Sequence, residues 1–457
     1  MSNLVGLVAN IGIQAIVPRS LGPETYGNFH FLTNFFNQVI SFLDLGTSTA
    51  FYTKLSKRQN DHGLITFYLI FMVTVLTALF VMVVISTSTS AHNTLWPGQK
   101  LQYIYYAAFY GALLWVGRIC TKAGDAYGLT VGIEKITILQ KVLGLFLILG
   151  LFFTNYLTLE TYFYYYFIII SFMAVGQIWI IIRSTSLILP LVRPSIAKLV
   201  SYLKEFYTYS HPLAMLALVT LITGVLDRWL LQTFAGSAQQ GFYSLAYQIG
   251  TVCFIFSQSM TALIQREFAI AFGKKDLQEM ARLFRRHIPT LYFISAYLAC
   301  FIIIHSSDVL FFFGGEAYAG GALTATIMLF FPIHMTYGQL SNSLLIATDQ
   351  TRLYRNLGII SVLVGLPVTY YLIAPITENG LELGSVGLAI KMVLMQFILV
   401  NVMLYYNTKL LKLSFLNYFT HQVGSVVILL TLAFISNQVV LILIEPKGIL
   451  EMVIGFF

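Results

Sequence analysis

The chain has 457 residues, of which 58% are hydrophobic and only 10% charged, with a mean hydropathy of +0.80 and a formal net charge of +8. A soluble domain carries about 25% charged residues, so this composition excludes an ordinary soluble protein. The lack of any long polar stretch also excludes a sizeable extramembrane catalytic domain.

Apolar runs of about 17 to 25 residues, the length that crosses a bilayer, predict thirteen spans. They lie near 3–18, 28–53, 63–86, 101–121, 135–154, 159–182, 209–234, 240–268, 287–306, 321–346, 353–374, 383–406 and 421–444. A last apolar run, Ile449 to Phe457, is too short to cross; it reads as the start of a fourteenth helix or as an interfacial segment. The first span has no basic n-region and no small-residue cleavage site, so it is not a signal peptide.

The connections sort by charge. One set of loops and helix ends carries Lys54, Lys57, Arg58, Lys198, Lys204, Lys274, Lys275, Arg282, Arg285, Arg286, Arg352, Arg355, Lys409 and Lys412 among others, and the opposite set only Arg19, Lys100 and Lys447. The inside-positive bias then places the N-terminus in the cytoplasm and explains most of the net charge as topology, not nucleic-acid binding. The longest inner connection, 183–208, contains Ile196, Leu199, Val200, Leu203 and Phe206 at helical spacing beside Lys198 and Lys204, which predicts an amphipathic helix on the cytoplasmic membrane surface. This linker separates a first bundle, 1–182, from a second, 209–407; residues 408–457 add one or more further helices.

The two halves share a pattern. At a constant offset of 214 residues, Gly22 falls on Gly236, Gly27 on Gly241 and Phe29 on Tyr243, and each copy opens a long apolar helix that ends in basic residues. Repeated membrane halves commonly build transporters with the substrate path at the repeat interface. Gly22 and Gly27 flank a turn that needs positive φ or close approach, Pro23 fixes φ near −65°, and Leu21 to Gly27 reads as a hinge-side connector on the periplasmic face. Pro212, Pro289, Pro332 and Pro367 mark places where helices could bend.

Enzyme chemistry finds little support. The eight histidines are scattered, with no HExxH, and the three cysteines, Cys120, Cys253 and Cys300, have no CxxC spacing. A phosphate loop of the GxxxxGK[ST] type is also lacking, so the work is expected to run on an ion gradient, a partner or the substrate's own gradient, with no cofactor or metal. Ionisable residues at membrane depth are costly and mark functional positions. The candidates are Asp44 in the second span, Asp227 and Arg228 in the seventh, Lys391 in the twelfth and Lys141 in the fifth, the last within snorkelling distance of the inner surface. Arg228 and Lys391 are cations suited to an anionic substrate. Asp44 and Asp227 are carboxylates suited to coupling a proton or sodium ion, with a helix-capping role beside Gly46 as the alternative for Asp44.

The string PRSLGPETYGNFHFLTNFF from Pro18, followed by LDLGTSTAFYTKLSKR, resembles the N-terminal signature of polysaccharide exporters in the multidrug/oligosaccharidyl-lipid/polysaccharide (MOP) superfamily, where an Arg-x-Leu-Gly-Pro-x-x-Tyr-Gly turn joins the first two helices. LDRWLLQTFAGSAQQGFYSLAYQIG similarly resembles that family's seventh and eighth helices. Within the superfamily the likeness is to the Wzx-type flippases of bacterial O-antigen and capsule assembly, over nearly the whole chain.

The resemblance implies an all-α polytopic membrane protein of 12–14 transmembrane helices, with two pseudo-symmetric six-helix bundles in a MATE-like V around a central cavity. It implies a bacterial inner-membrane flippase, not an enzyme, that moves undecaprenyl-pyrophosphate-linked oligosaccharide by alternating access. A polysaccharide polymerase and a chain-length regulator would be its protein partners. Arg228, Lys391 and Arg19 would meet the pyrophosphate, and tyrosines such as Tyr103, Tyr105, Tyr106, Tyr243 and Tyr247 the sugars. Two other classes stay open: a drug/cation antiporter or peptidoglycan-precursor flippase of the same superfamily, and a membrane polymerase or acyltransferase.

Overall fold

A computed structural model describes residues 2–185 and 195–444. The expected segment Ile449 to Phe457 lies outside the described residues. Among them the secondary structure is helical, without strands. In chain order the α-helices are α1 (Ser2–Asp44), α2 (Thr47–Lys57), α3 (His62–Ser88), α4 (Ala91–Leu95), α5 (Leu101–Ala126), α6 (Thr130–Phe153), α7 (Leu159–Thr185), α8 (Ile196–Val252), α9 (Ile255–Gly273), α10 (Leu277–Ile304), α11 (Ser306–Gly314), α12 (Ala322–Met328), α13 (Phe330–Ala347), α14 (Thr351–Ile373), α15 (Gly384–Leu411) and α16 (Phe415–Ile444).

Nine helical stretches among the described residues are long and apolar enough to cross a membrane. The expected spans at 3–18 and 101–121 are helical too, and those at 28–53 and 240–268 are helical apart from breaks at 45–46 and 253–254; α1, α5 and α9 carry internal polar residues such as His30, Asn34, Asp44, Arg118, Gln258 and Arg266, which lower their apolarity. Lipid-facing helices are apolar all round, whereas helices that pack inside a unit can hold polar groups satisfied by neighbours. The chain is therefore an all-α, multi-pass membrane protein.

By its contacts the chain divides into two compact units, Met1–Thr233 and Phe234–Phe457. In the first, α5 packs on α7 and α1 on both α5 and α6. In the second, α13 packs on α9 and α15, and α16 on α10. The first unit takes in residues 209–233, with which the expected second bundle begins.

Three breaks deserve a physical account. Gly22 (φ 72°, ψ 168°) and Gly236 (φ 81°, ψ −178°) kink α1 and α8 at equivalent positions of the repeat. That backbone conformation is open essentially to glycine alone, which is why both copies keep one at this offset. Pro23 follows at the first position of the new helical leg, where its missing N–H costs nothing. The third break lies inside the expected second span, beside Gly46, where a helix-capping role for Asp44 was the alternative reading. Leu45 (φ 45°) and Gly46 (φ 74°) both leave the helical region, and the helix stops at Asp44 and restarts at Thr47. Of the prolines, Pro289 and Pro367 sit inside α10 and α14 without breaking them, while Pro332 lies in the first turn of α13, just past the break at Leu329.

The surface helix was expected within 183–208, of which 186–194 lie outside the described residues. Residues 196–206 form the first turns of α8, which runs without interruption to the Gly236 kink. Between Ile196 and Thr223 there is no glycine to stop it, and about 40 residues at 1.5 Å each give a leg of about 60 Å. Ile196, Val200, Leu203 and Tyr207 are exposed along one stripe. Tyr202 and Phe206 are buried: Phe206 packs on Phe67 and Tyr68 (centroids 5.2 and 5.8 Å), and the Tyr202 hydroxyl donates to Asp61 at 2.8 Å.

Candidate functional site

The site grows from the antiparallel packing of the second leg of α1 against α8 in the first unit. Asn34 Nδ2 donates to the carbonyl of Gly224 at 2.7 Å, and Gln38 lies so close that a Cβ on Gly224 would meet its side chain. Glycine at 224 is what lets the two helices approach. One turn toward the kink, Arg228 on α8 interacts electrostatically with Tyr26 and His30 on α1. Just before the Gly236 kink α8 is anchored to the α4 corner, where Trp229 Nε1 donates to the Thr94 carbonyl at 2.7 Å and Gln232 Nε2 to that of Pro97 at 3.2 Å.

Aromatic rings wall this locus. Tyr26 donates across the kink to Gln14 Oε1 at 2.8 Å, tying the two legs of α1 together. Phe29 stacks on Tyr166 (5.4 Å, 15°) and packs on Tyr162 (4.6 Å), Phe163 (5.1 Å) and Tyr110 (5.9 Å). The hydroxyls of Tyr162 and Tyr166 share a hydrogen bond at 3.1 Å. The result is a half-buried guanidinium beside an imidazole and tyrosine hydroxyls, a combination able to bind an oxyanion next to hydroxyl-rich matter.

The other expected residues fall elsewhere. Asp227, next to Arg228 in sequence, is buried. Arg19 is exposed on the first leg of α1, three residues before the kink. Lys391 belongs to the second unit, where its side chain is 3% exposed and lies over Gly365 of α14; a Cβ there would stand 3.2 Å from Cε and 3.7 Å from Nζ. In the first unit Lys141 of α6 rests in the same manner on Gly6 of α1.

Asp44 caps the restart of α2. Its Oδ1 accepts from Thr47 Oγ1 (3.0 Å), the Ser48 backbone N–H (3.1 Å) and Trp115 Nε1 (3.1 Å), and its Oδ2 from Ser48 Oγ (2.8 Å). Lys122 Nζ donates to Ser48 Oγ and Thr49 Oγ1, each at 2.8 Å, so a cation stands one hydroxyl away. Among the tyrosines singled out, Tyr106 joins Gln102, Glu160 and Tyr164 in an exposed network, and Tyr243 is buried. Sequence reasoning missed His30 and the Tyr162–Tyr166 wall. The run of tyrosines at 162, 165 and 166, one helical face, was the available signal.

The fold is shared with solved membrane proteins. The lipid II flippase MurJ, in an inward closed conformation, superposes with a TM-score of 0.71 at 13% identity, covering 99% of this chain and 96% of that one. An inward-facing multidrug resistance MATE transporter of the MOP superfamily gives 0.63 at 16% identity, covering 89% and 94%. A MOP-superfamily transporter from Pyrococcus furiosus, described as having a binding pocket of reversed polarity, gives 0.57 at 15% identity, covering 90% and 93%. At such identities the likeness is one of fold, which is MATE-like. No curated protein matches the sequence. The profile of the family described as polysaccharide biosynthesis protein matches residues 1–264, more than half the chain. The chain thus belongs to the polysaccharide biosynthesis protein family.

Proposed function

We propose that the protein is a flippase that moves undecaprenyl-pyrophosphate-linked oligosaccharide, such as an O-antigen or capsule repeat unit, across the bacterial inner membrane by alternating access, with its N-terminus in the cytoplasm. The observation that carries this reading is the Arg228 locus, a guanidinium set among tyrosines at the kinked helix of a chain from a polysaccharide biosynthesis family. Guanidinium binds phosphate oxygens in a bidentate manner, and the tyrosines offer faces and hydroxyls to sugars. Lys391 and Arg19 serve the same anion at other points of its path, and Asp44 and Asp227 couple a proton or sodium ion. The lipid bilayer holds the substrate's tail, and a polymerase and chain-length regulator receive the product.

A drug/cation antiporter would share the fold and need an open anionic site. For a bulky organic cation Asp44 is a poor site, since both of its oxygens already accept hydrogen bonds and Lys122 stands close by. A MurJ-like structure agrees with lipid flipping, including of a peptidoglycan precursor.

The test is export of surface glycan in cells that depend on this protein. Arg228→Ala is expected to abolish export with protein level intact, and Arg228→Lys to retain part of it. Normal export by Arg228→Ala would overturn the reading.

A further inference from the structure

Nε2 of His30 is buried and makes no hydrogen bond. The ring is held edge-on by Tyr26 (centroids 4.3 Å, 67°) and Phe29 (5.3 Å, 89°), so it is clamped in place on α1.

The helix register says what this atom faces. Asn34 and Gln38 meet Gly224, and in an antiparallel pair one turn back along α1 matches one turn forward along α8, which sets His30 opposite Arg228. The electrostatic interaction between the two agrees with that register. A buried ring nitrogen without a partner is unfavourable and calls for an explanation. With the proton on Nε2, the guanidinium offers that N–H no acceptor, because arginine has donors only. A group that meets the ring N–H and can also lie against the guanidinium is an oxyanion, which accepts from both.

We propose that His30 is a second ligand for the pyrophosphate held at Arg228, donating from Nε2 to a phosphate oxygen. The inference rests on the reading of Arg228 as the anion-binding residue. Gln14 and Tyr26 then set the position of the ring's helix across the Gly22 kink.

The experiment measures binding of inorganic pyrophosphate, and of geranyl pyrophosphate as a short lipid analogue, to the full-length protein in detergent. Inorganic phosphate serves as the weaker comparison. His30→Leu is expected to weaken pyrophosphate binding about 5- to 30-fold, as loss of one charge-assisted hydrogen bond does. His30→Gln keeps an N–H donor of similar reach and is expected to bind within about threefold of the unaltered protein. Tighter binding of geranyl than of inorganic pyrophosphate assigns the site to a lipid headgroup; equal binding assigns it to the pyrophosphate alone, and either outcome keeps His30 as ligand. If His30→Leu and His30→Gln both bind normally while Arg228→Ala does not, the role of His30 fails and the reading of Arg228 stands. If both histidine variants lose binding and thermal stability together, His30 is structural. If Arg228→Ala also binds normally, the reading of the site fails with it.

Discussion

The two units share a backbone device and differ in the chemistry built around it. Gly22 and Gly236 kink their helices with nearly the same φ and ψ, at the same position of the repeat. Around the first kink the contacts are Gln14 with Tyr26, then His30, Arg228 and a wall of aromatic rings. Past the second kink Gln239 accepts from the backbone N–H and hydroxyl of Ser385, whose hydroxyl also bonds Thr324 at 2.7 Å. A kink with φ near +75° and ψ near 180° is open essentially to glycine alone, so both copies hold one there, while the side chains around the kink differ. One unit sets a charged locus beside it, and the other the hydrogen bonds of Gln239, Ser385 and Thr324.

The sharpest way to break this comparison is to replace both glycines. A non-glycine residue in this backbone region costs about 1–3 kcal/mol, and at both sites a Cβ would meet nothing within 4 Å. Gly22→Ala and Gly236→Ala are therefore expected to lower thermal stability by similar amounts, each through backbone strain alone. Only Gly22→Ala should also weaken pyrophosphate binding, because only the first kink aligns anion ligands. A stability loss at one glycine and not the other would show that the kinks are not equivalent.

A second pair compares lysines that rest on glycines. Lys391 is buried over Gly365, so Gly365→Ala forces it from a packed position, and overpacking of this kind costs about 1–3 kcal/mol. Lys141 over Gly6 is only half-buried and can swing outward, so Gly6→Ala is expected to change stability by about 0.5 kcal/mol or less. Combining Gly365→Ala with Lys391→Ala should recover much of the loss, a coupling read from a double-mutant cycle. Equal effects at both glycines would mean that burial does not distinguish the two lysines.

Asp44 offers a smaller effect. Asp44→Ala removes the cap of α2 and is expected to cost about 0.5–2 kcal/mol, whereas Asp44→Asn keeps an oxygen for Thr47, Ser48 and Trp115 and should unfold near the unaltered protein. In proteoliposomes the asparagine variant separates the two proposed roles. Loss of acceleration by an imposed proton or sodium gradient assigns Asp44 to coupling as well as capping, and undiminished acceleration leaves it the cap alone.

Much of this architecture is written in local sequence. Apolar runs mark the helices, the glycines at 22 and 236 mark the kinks, and Asp-Leu-Gly-Thr-Ser at 44–48 carries the cap and the positive-φ residue that end α1. What the sequence hides is continuity and register. Thr208 looks like the end of a linker because polar residues surround it and Pro212 follows, yet α8 runs on through them. His30 carries no formal charge at pH 7 and sits in an apolar helix, so a search for intramembrane charge passes over it. It gains meaning only when Asn34 and Gly224 fix which turn of α8 it faces.

The smallest expected effect lies at the basic ends of the two units. In the first, Glu205 of α8 accepts from Lys54 Nζ at 2.8 Å and Arg58 at 2.7 Å, while Tyr202 holds Asp61, so α8 is clamped to the corner of α2 and α3. In the second, Lys274 and Lys275 close α9 and make no ion pair among the described residues. The hydrogen bonds from Lys54 and Arg58 hold the Glu205 carboxyl below the usual carboxylate range. A carboxyl depressed in the folded state adds stability above its unfolded pKa, about 4.3, and that stability fades as pH falls through the lower folded value. Glu205→Gln is therefore expected to cost about 0.2–1 kcal/mol at neutral pH, in keeping with partly exposed ion pairs, and less in high salt. The difference in thermal stability between the two proteins should shrink as the medium is acidified below the ordinary carboxylate range. A difference that persists unchanged in acid and in salt would mean that α8 is held at this corner by Tyr202 and Phe206, with the ion pairs adding nothing.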